Sequence, residues 1–160
     1  YGAEISAKAR LERLNLFLNL SSTNFSGDDY RFQMEDYSLL EPDGSIKVFY
    51  DTWQEPFNTA PEFMLKTGAD WRITEKTNLS LTAMYTGERE YSYAKDTVKG
   101  TYHGYWIADA ALTVKDFPVK GSDLQAGIEN ITDEDWQSSG YYGPVPGQGR
   151  TLFVRWSKKW

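Results

Sequence analysis

The chain has 160 residues (18.4 kDa) with 17 Lys and Arg against 23 Asp and Glu, a net charge of −6; that allows one domain and, with no basic stripe, argues against nucleic acid as a partner. Mean hydropathy is −0.60 but aromatics make up 16%, a composition unlike disordered chains, and no apolar run approaches the roughly 20 residues of a spanning helix. The absence of cysteine excludes a disulfide scaffold, a thiolate metal site and a cysteine nucleophile.

In chain order, residues 2–11 alternate Ile5, Ala7 and Ala9 with Glu4, Ser6, Lys8 and Arg10, a period of two that predicts a strand with one apolar face. Glu12 and Arg13 make a short turn into 14–24, where Leu14, Leu16, Leu18 and Leu20 alternate with Asn15, Phe17 and Asn19. Ser22 to Pro61 is long, polar and aromatic, and Glu41-Pro42-Asp43-Gly44 predicts a turn able to close a hairpin within it. Strand patterns return at 62–73 (Leu65, Thr67, Ala69) and, after a turn at Ile73 to Thr77, at 78–90 (Leu79, Leu81, Ala83, Tyr85). The long segment Tyr91 to Tyr102 precedes a strand at 104–115 (Ala108, Ala110, Leu112, Val114), and Asp116 to Ser122 turns into 123–131 (Leu124, Ala126, Ile128). Thr132 to Gly149 leads to the last strand, 150–160 (Leu152, Val154, Trp156).

Short and long connections therefore alternate. Nothing in a soluble sandwich ties loop length to strand parity, whereas an outer-membrane barrel has short periplasmic turns and long extracellular loops. Leu, Ile, Val and Ala would meet lipid, and Asn, Lys, Arg, Asp, Ser and Thr would face a wet lumen. Amphipathic rings collect at membrane interfaces, and Trp71, Trp156 and Trp160 fall toward the short turns while Tyr85 and Trp106 fall at the long-loop ends. The fold class read from these features is all-β: a transmembrane antiparallel up-and-down β-barrel with seven strands visible.

The stretch Gly127-Ile128-Glu129-Asn130-Ile131-Thr132-Asp133-Glu134-Asp135-Trp136, followed by Gly149-Arg150-Thr151-Leu152-Phe153-Val154-Arg155-Trp156 and ending in Trp160, resembles the last two strands of a TonB-dependent outer-membrane receptor. That family shows a Val/Ile-x-Asn-Leu-Phe-Asp-x-x-Tyr segment, then Gly-Arg-x-Phe and a terminal aromatic residue. Here Ile131-Thr132 stands for Leu-Phe, Trp136 for Tyr, Trp160 for Phe, and Lys158 occupies a position usually apolar or aromatic. Asn58-Thr59-Ala60-Pro61 before a strand, with Asn78-Leu79 after a turn, is similar to an upstream family pattern, so the resemblance covers about 100 of the 160 residues.

The resemblance implies a barrel of 22 strands with an N-terminal plug domain, these seven being the last. An odd strand number and a start at Tyr1 lead us to expect a piece of a longer polypeptide, its plug lying outside this chain. It further implies TonB-dependent uptake of a scarce nutrient such as a ferric siderophore, haem or cobalamin across the bacterial cell outer membrane. The partners would be outer-membrane lipid, the rest of the barrel, the plug, TonB through the plug, and a small-molecule or metal-chelate cargo.

Candidate ligand contacts in the long loops are Tyr91, Tyr93, His103, Trp136, Tyr141 and Tyr142, with Arg150 for an anionic group. A lone histidine and carboxylate pairs without a ligand frame give no metal site, and no nucleophile motif or cofactor loop is present, so no enzyme or cofactor is expected. Two other readings are a complete eight-stranded outer-membrane barrel, its extra strand drawn from Arg31 to Asp36 or Ile46 to Trp53, and a soluble lipocalin-like barrel with the apolar face inward. The first would serve adhesion, membrane integrity or small-molecule passage.

Overall fold

The structure, a computed structural model, describes residues 1–24, 30–55, 60–93, 98–140 and 143–158. Regular structure among them is all strand: β1 (Gly2–Arg10), β2 (Leu14–Thr23), β3 (Tyr30–Leu40), β4 (Ile46–Glu55), β5 (Phe63–Arg72), β6 (Thr77–Thr86) and β7 (Arg89–Tyr93). They continue as β8 (Val98–Tyr102), β9 (Tyr105–Lys115), β10 (Ser122–Glu129), β11 (Gln137–Gly140), β12 (Gly143–Pro146) and β13 (Thr151–Lys158). Seven form one antiparallel sheet in the order β1-β2-β5-β6-β9-β10-β13. The other six make three separate hairpins, β3–β4, β7–β8 and β11–β12, each rising from a long loop.

Pairing register decides what the two faces are. Ile5 sits opposite Leu20, Leu20 opposite Leu65, Leu65 opposite Tyr85 and Tyr85 opposite Trp106. Lower down, Leu14 is matched to Trp71, Trp71 to Leu79, Leu79 to Leu112, Leu112 to Ala126 and Ala126 to Val154. A slip of one residue anywhere would turn a strand's apolar set to the other side, and no slip occurs. One face is thus apolar across all seven strands. Polar residues fall on it at strand ends (Ser22, Thr77, Ser122 and Lys158) and once inside a strand, at Thr67, whose hydroxyl donates to Phe17 O at 2.9 Å, leaving no unsatisfied hydroxyl proton.

Among the described residues nothing packs on that face. Leu16, Leu18, Leu81, Leu112, Leu152 and Val154 are exposed, and the buried apolar side chains among the described residues are only Tyr102 and Tyr105, both in the loop region. The sheet is open as well, with β1 and β13 as its edges. A single open layer with an uncovered apolar face fits a segment of barrel wall.

On β5, Phe63 and Trp71 bracket that face, about 27 Å apart along the strand at ~3.4 Å per residue. At a barrel strand's tilt of about 40° this is roughly 21 Å of height, near the ~25 Å apolar band of outer-membrane barrels. At the loop end Tyr85 packs between Phe63 (ring centroids 6.0 Å) and Trp106 (5.2 Å). Toward the turns Trp71 and Trp156 are half exposed, and Trp160 lies outside the described residues.

The opposite face is polar, carrying Asn15, Asp70, Ser80, Thr82, Asp109 and Gln125. The Ser80 hydroxyl donates to Asp70, and that of Thr82 to Asp109 at 3.3 Å. Two phenylalanines interrupt it, each laid over a glycine on the neighbouring strand: Phe17 opposite Gly68 and Phe153 opposite Gly127. A Cβ on Gly127 would lie 2.6 Å from Phe153 Cζ and 2.7 Å from Ala110 O, so backbone as well as ring would have to yield. We expect Gly127→Val to cost about 1–3 kcal/mol through overpacking, read as a lower midpoint of heat-induced unfolding on gels, and Gly127→Val with Phe153→Ala to recover part of it.

Two differences from the sequence pattern have local causes. The window 78–90 divides at Gly87, because β5 ends at Phe63 and the last pairing bond there is Gly87 N to Phe63 O; the chain then leaves the sheet as β7 and pairs with β8. The segments Arg31 to Asp36 and Ile46 to Trp53 supply no eighth strand to the main sheet: they pair with each other as β3 and β4, with an irregularity at Asp36. Asp43 caps that hairpin's turn, and the Ser45 hydroxyl and N–H hold its carboxyl below the usual carboxylate range. In the turn between β9 and β10, the Gly121 N–H and then Lys76 do the same for Asp116.

Candidate functional site

The buried side chains gather where the second and third long loops leave the sheet. Tyr105 opens β9 on the polar face, and its ring stacks on Trp136 at 5.3 Å with 28° between planes. Tyr102, at the end of β8, packs against Tyr91 at 4.6 Å and lies under the Arg89 guanidinium at 4.9 Å. Arg89 is itself buried, and its Nη2 donates to Gln137 O at 2.9 Å. The base of the β7–β8 hairpin is thereby tied to the base of β11–β12.

Below the stack, the chain leaving β10 is held by one asparagine. Asn130 is 3% exposed with φ of 51°, a left-handed conformation that asparagine tolerates better than most residues. Its Nδ2 donates to Glu134 O at 2.9 Å and Gln148 O at 3.2 Å, its Oδ1 accepts from Glu134 N at 2.9 Å, and its own N–H donates to Asp109 Oδ1 at 2.9 Å. Asp133, also left-handed at 57°, accepts Arg150 N at 2.8 Å through Oδ1, with the Arg150 guanidinium 3.9 Å from Oδ2. Trp136 Nε1 donates to Gln148 O at 3.2 Å, and a Cβ on Gly147 would land inside the indole. The two stretches singled out in the sequence, 127–136 and 149–156, thus lock onto each other at the start of the third loop.

Between the two hairpins lies a cleft of about 440 Å³, walled by Tyr102, His103, Tyr105, Glu134, Trp136 and Gln137 among others. Aromatic and polar side chains together wall it. Of the residues proposed from sequence, His103 and Trp136 line it and Tyr91 stands one ring behind, against Tyr102. Arg150 lies away from it, engaged by Asp133. Tyr93 pairs through its backbone with Val98, while Tyr141 and Tyr142 lie outside the described residues. Among the described residues no group of His, Asp or Glu is arranged to hold a metal.

Sequence reasoning missed Arg89, Tyr102, Tyr105 and Asn130 as site-builders. For Tyr102 and Tyr105 a signal existed, two tyrosines flanking His103-Gly104 between two strand patterns; for Arg89 only the fold brings Gln137 within reach.

The family model for TonB-dependent receptor-like β-barrels matches residues 1–131. Among solved structures the chain is similar to the ferric-catecholate import receptor Fiu from E. coli K12 in its open form, with 19% identity and a TM-score of 0.54 over 97% of this chain and 25% of that one. It is similar too to a variant of the ferric enterobactin receptor PfeA from Pseudomonas aeruginosa, at 15% identity and 0.54 over 97% of this chain and 30% of that one. The siderophore receptor PirA from Acinetobacter baumannii gives 11% and 0.53 over 97% of this chain and 31% of that one. The chain thus spans a quarter to a third of the length of these structures, and at such identities the likeness is one of fold. A comparison with curated proteins gives no match.

Proposed function

This chain belongs to the TonB-dependent receptor-like β-barrel family, and from that premise we propose that it is the final seven strands of an outer-membrane receptor for active uptake of a scarce nutrient. The cargo class is a ferric siderophore, haem, cobalamin or a similar chelate. The carrying observation is the register that makes one face of all seven strands apolar while the long loops gather at one end. In this reading the wall meets lipid outside and a plug inside, the plug transmits force from TonB, and the cleft between the second and third loops forms part of the cargo vestibule. A 22-stranded barrel would supply strands for both open edges.

No covalent step is asked of the chain. Its contribution is binding and orientation: the Tyr105–Trp136 stack gives a rigid wall, and Arg89 holds the two hairpins at a fixed spacing so that little ordering is left for the moment of binding.

The test is uptake by cells whose only difference is deletion of the full-length gene product containing this segment. Labelled ferric chelates, haem and cobalamin are offered in turn, with and without functional TonB. We expect accumulation of at least one to fall to background on deletion and equally on loss of TonB. Unchanged accumulation of all of them in the deletion strain would overturn the receptor reading.

A further inference from the structure

The described lining of the cleft between the second and third loops carries carboxylates and no ammonium or guanidinium. Its Asp, Glu, Lys and Arg residues are Glu134 and Asp135, both negative. Two nearby arginines are engaged elsewhere. Arg89 is buried beneath the wall, its guanidinium over the Tyr102 ring and hydrogen-bonded to Gln137 O. Arg150 is engaged by Asp133 through both backbone and side chain. The described lining therefore combines Tyr102, Tyr105 and Trp136 with two acidic residues and no Lys or Arg.

The surrounding loops reinforce that sign. Segments 24–62, 87–104 and 130–150 together hold fifteen Asp and Glu against six Lys and Arg, a net of −9, while the rest of the chain is +3. In sequence the imbalance belongs to the three long connections, all of which leave the same end of the sheet, and like charges on neighbouring loops add and raise the local concentration of oppositely charged solutes. An anionic chelate approaching from the loop end meets this field first, and then two carboxylates in the cleft.

We propose that the cleft accepts a cationic group on the periphery of the cargo, an ammonium or guanidinium carried by an otherwise neutral chelate, and that the loops discriminate against anionic chelates. This rests on the receptor reading above and adds the charge class of the cargo. Two carboxylates about 7 Å from the cargo charge, screened over a Debye length of ~8 Å, favour each added unit of positive charge by about twofold, and hence on the order of tenfold or more across several units.

The test offers cells expressing the full-length receptor three synthetic Fe(III) chelates labelled with radioactive iron. One is a linear tris(hydroxamate) bearing a free ammonium, the second is the same molecule with its amine acetylated, and the third is a tris(catecholate), which is anionic. TonB-dependent uptake is expected to be highest for the ammonium form, about twofold lower for its acetylated twin and at least tenfold lower for the tris(catecholate). Raising ionic strength should narrow the differences. Glu134→Gln with Asp135→Asn should bring the first two to parity, a charge-specific loss of the ratio that a merely structural role for these side chains would not produce.

Equal or higher TonB-dependent uptake of the tris(catecholate), or an unchanged ratio in the double variant, overturns the charge assignment and leaves the receptor reading standing. TonB-independent entry of all three, together with unchanged accumulation in the deletion strain, removes the receptor reading and this proposal with it.

Discussion

Asn130→Ala should loosen the whole third loop, at a local cost of about 3–5 kcal/mol. The substitution takes away the partner of Glu134 N and the donor to Glu134 O and Gln148 O, and an unsatisfied buried group costs roughly 1–3 kcal/mol. Alanine also tolerates the left-handed φ of 51° poorly, adding about 1 kcal/mol or more. Hydrogen exchange of the peptide covering 130–150, measured on the full-length protein in membranes, should speed up by about two to three orders of magnitude, since 1.4 kcal/mol is tenfold. Asn130→Gly loses the same hydrogen bonds but keeps the backbone at ease, so it should fall short of the alanine variant. Unaltered exchange in Asn130→Ala would mean that the side chain does not hold the loop; equal loss in both variants would remove the backbone contribution alone.

The asparagine also shows what could be read from sequence and what could not. Residues 127–136 and 149–156 stood out by resemblance, and the structure supplies the physical content: Asn130, Asp133 and Trp136 are the positions whose side chains close the corner, and Arg150 receives it. The strand windows were legible because a one-sided environment imposes a period of two, and in Leu14 through Leu20 and Leu79 through Tyr85 every residue on the outward face is apolar. The β3–β4 hairpin announced only its turn, Glu41-Pro42-Asp43-Gly44, since a free-standing ribbon imposes no consistent apolar face; Tyr37 and Phe49 stack on one side while Leu40 and Ile46 are exposed on the other. The Arg89 contact to Gln137 was illegible for a different reason. It joins positions 48 residues apart through a backbone carbonyl, which leaves no mark on residue type at the accepting end. The same applies to the phenylalanine–glycine pairs, where the glycine is required by a ring on another strand.

Leu81→Arg should cost about 2–4 kcal/mol and sharply reduce the amount of assembled barrel, whereas Thr82→Arg, one residue along, should be tolerated. Leu81 lies mid-strand on the apolar face between Ala69 and Ala110, where a guanidinium would sit near the centre of the hydrocarbon. Thr82 lies on the opposite face beside Asp109, where an added arginine finds water and a carboxylate. That contrast alone does not separate lipid from a protein core, because a buried arginine fails in both. The separating variant is Ala110→Leu, on the same face next to Leu81 and Ile128. Packed interiors charge about 1–3 kcal/mol for such overfilling, while fluid acyl chains make room for the added carbons. With lipid outside, Ala110→Leu should match the parent protein in folded yield and in the temperature at which the heat-resistant gel band is lost, and Leu81→Arg should fail in both. Failure of Ala110→Leu together with Leu81→Arg would turn the apolar face inward, as in a soluble ligand-binding barrel, and the membrane assignment would not survive it.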